Sequence, residues 1–220
     1  MTHSPEWPSS EASLPARNGL LSPPLRRDLA DLNLQYLDLG LEAGSEADPR
    51  FGWDEPIRTN LRSVDAQARE RLANLPFALF ELVIPVAAPG PVAARVEDGS
   101  PVVRPGMPAG RCESFAHQAA FMARRLAESG DLVSGVVFAF PPEARHWLLE
   151  CRPSQLAELA RHPEAIRPRW RTHAQFWQVL VGAACRCSVE ALEWAHCIGL
   201  CLIGAEDATP APDARRRQRP

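Results

Sequence analysis

Residues 51–79, FGWDEPIRTNLRSVDAQARERLANLPFAL, and residues 138–166, FAFPPEARHWLLECRPSQLAELARHPEAI, carry one pattern twice. At a shift of 87 positions Phe51, Arg58, Leu61, Leu72, Ala73, Pro76 and Ala78 meet Phe138, Arg145, Leu148, Leu159, Ala160, Pro163 and Ala165 without a gap. Trp53 meets Phe140 and Leu79 meets Ile166, so apolar character carries over where identity does not. In the first copy Asp54 is placed to cap a short helix through Leu61, with Pro56 in a first turn that tolerates it. Asp65 opens another helix, with Ala68, Leu72 and Ala73 on its apolar face and an end near Pro76. The run FALFELVIPV, residues 77–86, is apolar almost throughout, and periodicity leaves it open between a helix end and a short strand.

Upstream, Leu25 to Leu41 reads as the strongest helix of the chain. Leu29, Leu32, Tyr36 and Leu39 form one stripe, and Leu34, Leu37 and Leu41 a second. Apolar residues over that much of the circumference require cover on more than one side. Asn33 to Leu41 aligns with Gln118 to Leu126, with Tyr36 over Phe121, when two residues are added to the second linker. Two copies of such a unit can cover each other within one chain, as two subunits do in a symmetric dimer. The expectation is a tandem duplication folded as a pseudo-dimer.

Downstream, Thr172 to Asp207 reads as helix, tight polar break, helix. Thr172 and Gln175 have the spacing of a capping box, and Phe176, Val179, Leu180 and Ala183 follow at helical intervals. The break Cys185-Arg186-Cys187-Ser188 comes next, with Ser188 as N-cap and Glu190 in the first turn. Leu192, Ala195, His196, Gly199 and Leu202 continue the second helix. Helix-turn-helix motifs have this form, and so do plain helical hairpins.

The 220 residues, 45% hydrophobic with net charge -3, suffice for a core and carry no strong basic balance. The 22 prolines gather at the ends and over 85–108. The expected layout is a Pro/Ser-rich arm at 1–24, a first repeat at 25–86 and a Pro/Gly-rich linker at 87–111. A second repeat with the hairpin follows at 112–207, then a basic tail at 208–220. No run matches a membrane span or a signal peptide, so a cytoplasmic location and no membrane are expected. All 24 basic residues are arginine. Six cysteines are expected to be thiols, and C-x-C-x9-C-x3-C from Cys185 to Cys201 lacks the paired knuckles of structural zinc sites. No metal or cofactor is expected. Without a Gly-rich phosphate loop, H-E-x-x-H or G-x-S-x-G, the chain reads as a non-enzyme. A nucleophile at Cys151 with His146 or His162 has no further context.

Asp31-Leu-Asn-Leu-Gln-Tyr-Leu37, then Phe51-Gly-Trp-Asp54, Leu61 and Leu72-Ala73, resemble the flagellar transcriptional regulator FlhD family. In the second half Ala123-Arg-Arg-Leu126, Leu159-Ala160 and Val189-Glu-Ala-Leu-Glu-Trp-Ala-His196 resemble that family's later segments. The likeness covers roughly 25–85 and 115–207, and it rests on order and spacing rather than on one motif. It implies an all-α fold with at most one short strand per repeat, two FlhD-like repeats as a fused dimer, and a C-terminal helix-turn-helix-like hairpin. It also implies transcriptional activation of flagellar or motility-type genes, with DNA and an FlhC-like partner subunit. A cysteine that cross-links subunits in that family is replaced here by Phe80 and Arg167, so no such disulfide is implied. The family's arginine before the last helix is missing, with Arg186 nearby.

The candidate DNA-binding residues are therefore Arg169, Arg171, Arg186, Ser188 and His196. Arg169 and Arg171 would meet phosphates, while Arg186 and the start of the last helix would approach phosphates or base edges. Against this, Ser188 reads equally as a cap and His196 as a packed core residue. Trp170, Phe176, Trp177 and Trp194 read as one core cluster, with a partner surface as the alternative. A second functional reading is an adaptor or antagonist that binds a regulator protein and no DNA. Further oligomerisation is left open.

Overall fold

The computed structural model describes residues 21–42, 53–84, 109–162 and 164–207. Most of the arm, all but the last residues of the linker, and the tail lie outside the described residues. The elements run α1 (Pro23–Glu42), α2 (Glu55–Arg62), α3 (Ala66–Ala73), β1 (Phe80–Leu82), α4 (Ala109–Ser129) and α5 (Asp131–Phe138). They continue with α6 (Pro142–Glu150), α7 (Pro153–Arg161), β2 (Ile166–Pro168), α8 (Ala174–Cys185) and α9 (Val189–Asp207). Among the described residues the chain is mostly helical, with one two-stranded sheet. The apolar run at 77–86 resolves into a short strand, because Leu79 to Val83 meet a second strand rather than continuing α3. α4 begins inside the expected linker, and the stretch of the first half that α5 would match lies outside the described residues.

Local chemistry sets the breaks. Asp65 caps α3 through a 2.7 Å hydrogen bond from the Ala68 N–H. At α2, Asp54 stands at the cap position but its carbonyl, not its side chain, accepts from Ile57 and Arg58. Pro142 and Pro153 sit at the starts of α6 and α7, where a missing N–H is harmless.

α2 and α6 begin 87 positions apart, as do α3 and α7, and α1 and α4 end 87 apart. α1 packs on α3, α4 packs on α6 and α7, and α1 and α4 lie against each other. The two-residue addition that set Tyr36 over Phe121 fails. Tyr36 is fully buried whereas Phe121 is 52% exposed, and the 87 shift instead sets buried Tyr36 over buried Ala123. The same shift puts Leu29, Leu32 and Leu39 over Ala116, Ala119 and Leu126, all buried. Across the contact between α1 and α4, the Tyr36 and Phe115 rings stack with centroids 5.8 Å apart.

β1 and β2 pair antiparallel, Phe80 with Pro168, Glu81 with Arg167, and Leu82 with Ile166. The ladder extends through Val83 N–H to Ala165 O and Arg169 N–H to Leu79 O. Phe80 lies beneath it, edge-on to Phe115 and Phe138. One continuous core cluster joins residues from both halves. Asn33 is fully buried there. Its amide donates to Ala73 O and Phe77 O and accepts from the Leu79 N–H, pinning the turn between α3 and β1.

Candidate interaction hairpin

The hairpin begins at Trp170, whose backbone is left-handed (φ 52°) and whose ring packs edge-on against Phe77 at 5.3 Å and Phe176 at 4.8 Å. The expected Thr172 capping box is absent: α8 starts after His173, and the Thr172 hydroxyl faces His173 Nδ1 at 3.4 Å. α8 buries Phe176, Trp177, Leu180, Val181, Ala183 and Ala184 against α2 and α3, with Trp177 edge-on to Trp53 at 5.8 Å. Arg71 of α3 donates to Ala184 O, placing a cation at the negative end of α8. Trp170, Phe176 and Trp177 are therefore core. Trp194 is not; it stands 63% exposed on α9.

Arg186 ends α8 and Cys187 follows with φ 52°, the left-handed residue that turns the chain. Ser188 Oγ accepts the Ala191 N–H at 3.2 Å, so Ser188 is the N-cap of α9. α9 then lies along α8, and Gly199 lets it settle on Phe77, since a Cβ there would run into that ring.

The expected contact residues are scattered in role. Arg169 is fully buried: its Nη1 donates to Ala78 O at 3.3 Å and Val137 O at 3.1 Å, and its guanidinium lies 5.0 Å from the Trp170 ring. It ties β1 to the end of α5 and cannot reach a phosphate, which corrects the expectation for it. Arg161 pairs with Glu113, and Arg167 with Glu81 across the ladder. Arg171 and Arg186 are exposed and have no ion pair among the described residues. Arg186 folds back along α8, its Nη1 3.3 Å from the place a Gly182 Cβ would take. His196 is half-buried, 6.5 Å from the Phe77 ring and edge-on to it. Burial, helped by Arg26, holds its imidazolium below the usual histidine range, against a smaller opposing pull from Glu193.

One surface escaped the sequence reading. Positions 190, 193, 194, 197, 200, 201 and 204 of α9 are all exposed and follow one helical stripe. Two are acidic, at the N-terminal end, and Trp194, Cys197, Leu200 and Cys201 make the rest largely apolar. The signal was there as a helix apolar all round, which needs cover beyond α8. Cys185 and Cys187 are exposed as well, whereas Cys112 and Cys151 are buried. Burial raises the Cys151 thiol above its ordinary range, with Arg124 opposing; its Sγ–H donates to Leu148 O. Among the described residues no three His, Cys, Asp or Glu side chains converge to hold an ion. No described helix is long and apolar enough to cross a membrane. No known protein family, curated protein or solved structure matches this chain.

Proposed function

We propose that the chain is a tandem, FlhD-like regulator in which two repeats form a pseudo-dimeric body, and that its C-terminal hairpin works by contacting protein. The duplication draws its support from spacing: α2 and α6, and α3 and α7, begin 87 positions apart, α1 and α4 end 87 apart, and the same shift carries Phe80 and Glu81 onto Arg167 and Pro168 of the strand they pair with. Phe80 and Arg167, which replace the family's cross-linking cysteine, lie one on each strand of that ladder.

The observation that carries the protein-contact reading is the face of α9. Where a DNA-reading helix would offer cations at its N-terminal end, this one offers exposed Glu190 and Glu193 beside Trp194 and Val189. Carboxylates there repel phosphates, and an exposed tryptophan is the kind of anchor protein interfaces use. Regulation of motility-type genes, with an FlhC-like subunit or another regulator as partner, follows from the resemblance. DNA contact is the second reading, favoured by Arg171 and Arg186, which remain exposed and unpaired by carboxylates among the described residues.

Titration of labelled duplex DNA with the full chain across a salt series separates the two. The protein-contact reading expects no binding that strengthens steeply as salt is lowered. Tight, salt-sensitive binding that drops in Arg171→Ala and Arg186→Ala would replace it with the DNA reading.

A further inference from the structure

We infer that Cys197 and Cys201 form a two-thiol site on the outer stripe of α9 for a soft, two-coordinate cation of the Cu(I) class. The site needs only α9, so it stands whether the hairpin meets protein or DNA. Both thiols are free and exposed, and they lie one helical turn apart on one face. At that spacing Cβ atoms are about 5–6 Å apart. A disulfide needs about 3.5–4.5 Å between Cβ atoms, so an intact α9 keeps the two thiols from oxidising to each other. A metal–sulfur bond is about 2.3 Å long, so a collinear S–metal–S bridge spans about 4.6 Å and fits between them. The helix thus closes off the disulfide and leaves room for the ion.

Ligand number and softness choose the ion. Among the described residues no three His, Cys, Asp or Glu side chains converge, so an ion that wants four protein ligands, such as structural Zn(II), finds too few. Two thiolates satisfy Cu(I), and soft sulfur ligands select it. Charge agrees with a cation. α9 carries Glu190, Glu193, Glu206 and Asp207 and no arginine, and exposed Glu193 stands one further turn before Cys197. Exposed Trp194 and Leu200, on the same stripe, border the pair with apolar surface that offers a bound ion no oxygen ligand. The other exposed pair, Cys185 and Cys187, has a permanently charged arginine between its members, which opposes a cation. Binding breaks two S–H bonds and forms two S–Cu bonds. Two protons pass to the buffer, and no oxidation state changes.

Anaerobic titration of the reduced full chain with Cu(I), in competition with the chromogenic chelator bathocuproine disulfonate, tests this. One ion per chain is expected at this site, with affinity that rises with pH because two protons are released. Tryptophan emission should be quenched as the ion binds. Trp194→Phe should remove most of the quenching and keep the binding, since Trp194 lies one turn from Cys197. Cys197→Ser and Cys201→Ser should each weaken binding at least about tenfold, with an unchanged helical circular dichroism spectrum. The double variant Cys185→Ser, Cys187→Ser should bind as the natural chain does. Binding that survives Cys197→Ser and Cys201→Ser overturns the inference, as does binding lost in the Cys185, Cys187 double variant. A chain that takes no Cu(I) from the chelator, or that holds Zn(II) as tightly in a parallel titration, overturns it too.

Discussion

Asn33 shows how much a single polar side chain can organise. Its amide satisfies three buried backbone groups, on Ala73, Phe77 and Leu79. Asn33→Ala strips partners from all three at about 1 kcal/mol or more each, so urea unfolding should show a loss of about 3 kcal/mol. Cys187 is the opposite case. It holds a left-handed backbone that suits glycine, and its side chain is exposed. Cys187→Gly should raise the unfolding free energy by up to about 1 kcal/mol, read in the same denaturation experiment. His196 links stability to pH. Its folded pKa lies below the unfolded value, so its neutral form is favoured in the fold. That contribution is complete above the unfolded pKa of about 6.5 and falls as pH drops through the window beneath it. Melting temperature should decline more steeply from pH 7 to 5 in the natural chain than in His196→Gln.

At the scale of elements, the sequence was informative where capping and periodicity agree. Asp65 and Ser188 mark helix starts that stand in the structure. It was uninformative where long-range packing decides. Thr172 and Gln175 have capping-box spacing, yet the left-handed Trp170 and its ring packing delay α8 until after His173. Arg169 looks like its exposed neighbours in the run Arg167 to Arg171, and only the ladder, which carries it inward, makes it a core residue. Trp194 has the same helical spacing as Trp177, but α8 covers the opposite side of α9. The cysteines divide along these lines. An aromatic disulfide reagent should react rapidly with Cys185, Cys187, Cys197 and Cys201, and with Cys112 and Cys151 only on unfolding. Fast reaction of Cys151 in the native chain would contradict its buried, protonated state.

For the molecule as a whole, the core belongs to neither half. Tyr36 and Phe80 from the first half pack on Phe115 from the second, and Ala78 N–H bonds to Val137 O. Residues 1–107 expressed alone should therefore be unfolded or aggregated, lacking a cooperative thermal transition, and should gain one when mixed with residues 108–220. Independent folding of the first segment as a monomer would show that the shared core is dispensable.

The ladder also imposes an order on synthesis. β1 leaves the ribosome well before β2 exists, and until Pro168 has been made the edge that includes Phe80 has no partner of its own. Pairing across so long a stretch is slow to nucleate, and during that interval the edge can accept the equivalent strand of a neighbouring nascent chain. Two proteins on one polysome could then exchange halves, giving an intertwined product chemically identical to the proper one. Crowded, rapid translation should be the condition under which such exchanged molecules accumulate.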